Sequence, residues 1–144
     1  MANNHQVPVV VVTNQSGIAR GKFTTADYEA VKARMNDLLA QSGAFVEAEY
    51  FCPHHPDITG ACACRKPGTE LYDRAVRDLG LDATQSVFIG DRWRDIAAAV
   101  HFGGLGILVP TDATPAEDLA RATREMRVAG NLLGAMEAAL AHRP

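Results

Sequence analysis

The sequence lacks the features of a nucleic-acid binder and of a membrane protein. Lys and Arg number 14 against 17 Asp and Glu, a formal charge of −3. Bulk nucleic-acid binding needs a strong basic excess, so no nucleic-acid partner is expected. No run approaches the roughly 18 apolar residues of a membrane span, so no membrane partner is expected either. Met1 leads into Ala-Asn-Asn-His-Gln, without a basic n-region or a signal-peptide core; the expected location is the cytoplasm. There is no internal repeat and no low-complexity tract. Cysteine is scarce: there are 3, and an odd number excludes complete pairing within one chain.

What is present suits a globular protein with a real core. The chain has 144 residues, 47% hydrophobic and 22% charged, which predicts one domain over 1–144. Apolar runs alternate with helical patterns, the mark of a βαβ succession and a parallel sheet. The expected fold is α/β: a three-layer, Rossmann-like parallel sheet. Val7 to Val12 is uniformly apolar and predicts a strand buried on both faces, followed by a loop over Thr13–Gly17. Thr24 or Thr25 caps a helix to about Gln41, with Tyr28, Val31, Met35, Leu38 and Leu39 on one stripe and Gly43 beyond its end. Phe45 to Phe51 predicts a strand, 52–68 a loop, and 69–79 a helix stopped at Gly80. Ser86 to Ile89 is a third strand, 94–102 a helix ended by Gly103, and Leu105 to Val109 a fourth strand. Beyond Pro110 the pattern predicts a helix over 115–126, a short edge strand over Arg127–Ala129, and a last helix capped by Asn131.

All three cysteines lie between positions 52 and 64. Cys52, His54, Cys62 and Cys64 supply four thiolate and imidazole donors, two on each arm of a loop, the ligand number and type that Zn²⁺ prefers. Pro56 and Gly60 between the arms help the loop fold back. Four protein ligands leave no open position, so the zinc would be structural. His55 is the less suitable imidazole. The alternatives are free thiols, or a redox pair at Cys62 and Cys64.

Three polar groups follow strands, and ligands of open α/β sheets sit beyond the carboxyl ends of strands. Thr13, Asn14, Gln15 and Ser16 offer hydroxyls, amides and backbone N–H groups to phosphate oxygens. Arg65 and Lys66 leave the cysteine loop just before a helix, and two adjacent cations suit an anion. Asp91 in Gly90-Asp91-Arg92 could ligate Mg²⁺ beside substrate phosphate. The plainer readings are a strand-closing Thr13, a solvated Lys66 and a helix-capping Asp91. Asp95 is expected to brace the Asp91 loop, and Trp93 to pack.

Strand-Thr-Asn-Gln, then Arg-Lys-Pro, then Gly-Asp-x-x-x-Asp resembles the haloacid dehalogenase superfamily of phosphatases. Val10 to Gly21, with Cys52-Pro53-His54-His55-Pro56 and Cys62-Ala63-Cys64-Arg65-Lys66-Pro67, is similar to the heptose bisphosphate phosphatases, with histidinol-phosphate phosphatases related. The resemblance covers residues 7 to about 109. It implies a Mg²⁺-dependent phosphomonoesterase acting on a small phosphosugar through an aspartyl-phosphate. It implies that Thr13 and Lys66 stabilise the transferring phosphoryl group, that Asp91 ligates Mg²⁺, and that Thr13 to Ser16, Arg65, Lys66 and Arg92 surround the substrate. It gives Cys52, His54, Cys62 and Cys64 to zinc.

One motif departs from that pattern. The family's Asp-x-Asp-Gly-Thr strand precedes the Thr13 strand, yet no Asp-x-Asp occurs in the chain and no Asp or Glu precedes Asp27. The nucleophile and the general acid/base therefore have no counterpart. The expectation is a domain incomplete at its N-terminus, monomeric when full length. Otherwise it would self-associate through the sheet edges that a missing strand leaves exposed.

Overall fold

The computed structural model describes residues 1–142. The elements in order are β1 (Val10–Asn14), α1 (Thr25–Gln41), β2 (Ala48–Cys52), α2 (Pro56–Thr59), α3 (Glu70–Leu79), β3 (Val87–Gly90), α4 (Trp93–Ile96), α5 (Ala98–Phe102), β4 (Leu105–Leu108), α6 (Ala116–Glu125), β5 (Arg127–Val128) and α7 (Leu132–Ala141). Short 3-10 turns lie at Asn3–His5 and Ala83–Gln85. The chain divides into two compact units, the first from Met1 to Ala75 and the second from Val76 onward.

In the first unit β1 and β2 pair in parallel, Val10 opposite Ala48 through Asn14 opposite Cys52. Helix α1 starts where a capping box is written in the sequence. Thr24 accepts the Asp27 backbone N–H, and the Asp27 carboxylate accepts the Thr24 backbone N–H in return. Tyr28 at the base of this helix is buried and its ring meets Phe51 of β2 at 4.4 Å between centroids. Arg74 of α3 lies over the Tyr50 ring of β2 at 5.4 Å.

Two expectations for this unit are corrected. The first strand begins at Val10 rather than Val7, because Pro8 has no N–H for a ladder, and it runs on through Thr13 and Asn14. It is half-buried throughout, not buried on both faces. Among the described residues β1 has one strand neighbour, β2. Beneath α1, Val11, Thr13, Tyr28, Val31 and Met35 border an open groove of about 160 Å³. The stripe of α1 is accordingly only part covered, with Val31 69% and Leu38 47% exposed.

In the second unit β3, β4 and β5 form a parallel sheet in that order, Val87 opposite Leu105 and Ile107 opposite Arg127. Its core is Ile96, Leu108 and Ala122, with Trp93 and Met126 packed against it. The helix expected over 94–102 is two, α4 and α5. At Ala97 the bonding tightens, as Val100 N donates to Ala97 O three residues back. Asn131 caps α7 by accepting from Gly134 N at 2.9 Å. The strands are parallel and interleaved with helices as expected, but they lie in two sheets. β3, like β1, has one open edge among the described residues. No described helix is long and apolar enough to cross a membrane.

The Thr24 cap makes a direct prediction. Thr24→Ala should lower stability by about 1 kcal/mol, read as a shift of the urea midpoint, while Thr24→Asp should hold near the parent. Hydrogen bonds from the Thr24 backbone and then its hydroxyl lower the Asp27 pKa. The cap is therefore complete above pH about 4 and weakens as acid protonates the carboxylate.

Candidate functional site

Asn14 and Cys52 close their strands side by side in register. The polar residues after β1 and the cysteine loop after β2 thus share the carboxyl end of one sheet. Gln15 N continues the ladder to Cys52 O at 2.8 Å, and Ala19 N reaches Pro53 O at 3.2 Å.

The four donors predicted from sequence do come together. The Cys52, Cys62 and Cys64 sulfurs and the His54 Nδ1 lie within 4.8 Å of one another. Cys52 Sγ is 3.0 Å from Cys64 Sγ and 3.6 Å from Cys62 Sγ, and the Cys62 and Cys64 sulfurs are 3.4 Å apart. His54 Nδ1 is 3.2 Å from Cys64 Sγ and 3.7 Å from Cys52 Sγ. No disulfide joins them. A tetrahedral zinc with three sulfurs and one nitrogen has donor–donor edges of roughly 3.5–3.8 Å, so the cluster has the right donors at nearly the right separations. His55 is not among them. It turns away to the N-cap position of α2, the one-turn helix that Pro56 starts inside the expected loop, with Nδ1 3.3 Å from Asp57 N.

The electrostatics of this cluster favour a cation. Burial acts to raise the Cys62 thiol, but hydrogen bonds from Cys64, the Arg65 backbone N–H, Cys52 and His54 outweigh it and bring it down to about 7. Burial, and then hydrogen bonding and like charge from Cys52 and Cys62, push Cys64 far up. One thiolate is tolerated and a second is repelled, as in any pair of close acids that cannot both ionise.

Beyond the cluster in sequence, Lys66 is fixed by three hydrogen bonds to β1. Asn14 donates to Lys66 O at 3.2 Å and accepts Lys66 N at 3.0 Å, a two-way bond across 52 positions of chain. The Lys66 Nζ donates to Val12 O at 2.7 Å, which holds the ammonium against β1. Gln15 Nε2 donates to Thr13 Oγ1 at 3.0 Å; the hydroxyl proton of Thr13 is then still available to an incoming oxygen. Arg65 donates to the His54 carbonyl at 3.4 Å. The first unit thus gathers Thr13, Asn14, Gln15, Arg65 and Lys66. Ser16 contributes its backbone carbonyl to Arg20 N, inside the turn that follows.

In the second unit Asp91 follows β3. Its backbone carbonyl accepts from Thr114 Oγ1 at 2.7 Å. The helix-capping alternative for Asp91 is excluded, since Arg92 occupies the N-cap position of α4. No described group hydrogen-bonds or ion-pairs with the Asp91 carboxylate, which leaves its oxygens available to a hard cation. Asp95 braces this turn by accepting Arg92 N at 3.2 Å. A Cβ on Gly90 would stand 2.3 Å from the Asp95 Cβ, so only glycine fits before Asp91. Trp93 packs as expected. Its N–H goes to Asp118 at 2.8 Å, and Arg121 covers its ring at 3.8 Å. Arg20, paired to His55 Nε2 at 2.6 Å, was not singled out by sequence reasoning. Only its place within the Val10–Gly21 stretch points to it.

Comparison with known proteins places the chain among phosphatases. A HAD-hydrolase-like family model matches residues 63–135. The chain is 44% identical over 103 residues to the D-glycero-beta-D-manno-heptose-1,7-bisphosphate 7-phosphatase of Bordetella bronchiseptica, covering 72% of this chain and 56% of that one. It is 38% identical over 143 residues to the enzyme of that name from Mesorhizobium japonicum, covering 94% and 66%. The crystal structure of the D,D-heptose 1,7-bisphosphate phosphatase from B. bronchiseptica, complexed with magnesium and phosphate, superposes with a TM-score of 0.84 at 35% identity, over 97% of this chain and 78% of that one. The chain spans just over half the length of the first of these relatives.

The two-way bond at Asn14 should carry the placement of Lys66. Asn14→Ala leaves the Lys66 N–H and carbonyl without that partner and should lower stability by about 1–3 kcal/mol. Urea denaturation checks the loss, and an unchanged midpoint would deny the pin.

Proposed function

Because the chain belongs to the HAD-like hydrolases, we propose that it serves the hydrolysis of a phosphomonoester on a sugar bisphosphate, D-glycero-D-manno-heptose 1,7-bisphosphate. The observation that carries this reading is the placement of Lys66. Asn14 holds its backbone and the Val12 carbonyl accepts from its ammonium, near the carboxyl end of β1, the strand that carries the Thr13 hydroxyl. A hydroxyl donor and an ammonium so placed can receive phosphoryl oxygens as negative charge develops on them. Backbone N–H groups of the turn after β1 and the Arg65 guanidinium add donors for the ester.

In this proposal Cys52, His54, Cys62 and Cys64 hold a structural Zn²⁺. The donor chemistry and separations fit it, and four protein ligands leave no position for water. Asp91 provides one carboxylate ligand to Mg²⁺, and Arg92 beside it contacts the substrate. When bound, the Mg²⁺ would neutralise phosphate charge. The 144 residues contain no Asp-x-Asp, so the groups they contribute bind and stabilise rather than attack. We further propose that they form one domain, cytoplasmic in location. That domain would be monomeric when complete, and would self-associate through the open edges of β1 and β3 when it is not.

A second reading follows from the same absent motif: a phosphosugar-binding domain with no turnover of its own. Histidinol phosphate is the alternative substrate. Isothermal titration of the 144-residue protein, with Zn²⁺ and Mg²⁺ present, decides among these. The proposal expects heptose bisphosphate to bind and histidinol phosphate to bind more weakly, with Asp91→Ala removing the Mg²⁺ dependence. Phosphate release should be absent until a segment carrying Asp-x-Asp is supplied. No binding of either ester would overturn the phosphatase reading. Turnover by the 144 residues alone, abolished by Asp91→Ala, would overturn the assignment of the nucleophile elsewhere.

A further inference from the structure

The turn after β1 carries a cation that the proposed chemistry does not use. Residues 15–22 fold back on themselves: Ile18 N donates to Gln15 O, Arg20 N to Ser16 O and Lys22 N to Gly17 O. Phe23 lies so close over Gly17 that a Cβ there would stand 2.1 Å from its ring. Arg20 therefore stands on an ordered turn, and its guanidinium meets His55 Nε2 at 2.6 Å.

The chemistry of that contact is directional. Arginine can only donate, so His55 Nε2 must accept, and the ring proton sits on Nδ1 in the neutral tautomer. The His55 side chain is 14% exposed, and its Nδ1 faces the Asp57 carboxylate at 3.7 Å, an acceptor for the ring proton. Arg65 is held in a similar way by the neighbouring residue, donating to the His54 carbonyl. Two guanidinium groups are thus anchored on adjacent residues of one loop, each by a neutral acceptor. Among the described residues no carboxylate pairs with either. Planar guanidinium with donors to spare is the group best suited to phosphate oxygens.

We propose that Arg20, oriented by His55, binds the second phosphate of a bisphosphorylated sugar, the one that is not transferred. Arg20 is then a specificity-determining residue, and His55 is a positioning residue that acts through it. The inference rests on the phosphatase reading and extends it to the far end of the substrate. It also gives the metal loop a second role: the same dipeptide, His54-His55, supplies one metal donor and the acceptor for Arg20.

The test is calorimetric, on the zinc-loaded 144-residue protein with Mg²⁺. The probes are D-glycero-D-manno-heptose 1,7-bisphosphate and heptose 7-phosphate, which lacks the second phosphate. The parent should prefer the bisphosphate by about ten- to a hundredfold, the worth of one charge-assisted phosphate contact. Arg20→Ala should reduce that ratio to near one while leaving the monophosphate affinity in place. His55→Ala should lower the ratio part-way. His55→Gln, whose carbonyl can also accept from Arg20, should restore most of it. Zinc content, measured alongside, should be equal in all four proteins. An unchanged ratio in Arg20→Ala would overturn the assignment of Arg20, and His55→Gln as poor as His55→Ala would remove His55's orienting role. If the parent binds both esters equally, this inference fails alone; if it binds neither, the phosphatase reading fails first.

Discussion

Three thiols and an imidazole within 4.8 Å of one another are the constraint on which the rest of the first unit hangs. Bare thiols at that spacing are in conflict, because ionising one makes the next much harder to ionise. A divalent cation removes the conflict and closes the loop in one step. The loop matters because of what it carries. Cys52 stands in register with Asn14, the His54 carbonyl anchors Arg65, His55 meets Arg20, and Lys66 leaves the far arm to bond Asn14. Cations that would otherwise sample many rotamers are thereby ordered before any ligand arrives, which lowers the entropy lost on binding.

A division of labour follows from the inventory of side chains. In the proposed reading these residues give donors and cations to phosphate and one carboxylate, Asp91, to a metal. They offer no Asp-x-Asp at the carboxyl end of a strand, the arrangement that supplies a nucleophile and a proton shuttle: Glu47 and Glu49 stand at the start of β2, and Asp27 and Glu29 lie in α1. Groups that stabilise a transferring phosphoryl retain part of a site's affinity for the ester after the nucleophile is removed, since binding and covalent chemistry are separable contributions. The open edges of β1 and β3 belong to the same picture: each strand shows one side of its backbone without a strand partner among the described residues.

Most of this was legible in the sequence because the relevant signals are local. The Thr24–Asp27 box, the glycines after helices, Asn131 and the Cys–x–His and Cys–x–Cys pairs all act over a few residues, and each appears where the residue types require it. The parallel α/β character was legible from the alternation of apolar runs and helical stripes. What escaped depends on neighbours remote in sequence. Uniform apolarity in Val7–Val12 predicts burial on both faces, but burial depends on how many strands flank it. Val31 and Leu38 fit a helical stripe whose covering partner the sequence could not name. The break at Ala97 has no breaker residue, and α2 is hidden because proline suits a loop as well as the first turn of a helix, which is where Pro56 stands. The Arg20–His55 pair spans 35 positions and leaves no periodic trace.

The most direct test of the account is the linkage between the metal loop and the ester. Inorganic phosphate or heptose bisphosphate would be titrated into the zinc-loaded protein, into protein stripped by a chelator, and into protein to which zinc has been restored. Circular dichroism would report the fold in each state. The account predicts that affinity falls when the metal leaves and returns when it is restored, because Arg65, Lys66 and Arg20 lose and regain their anchors. A metal-free protein that stays folded and binds the ester as tightly as before would contradict it.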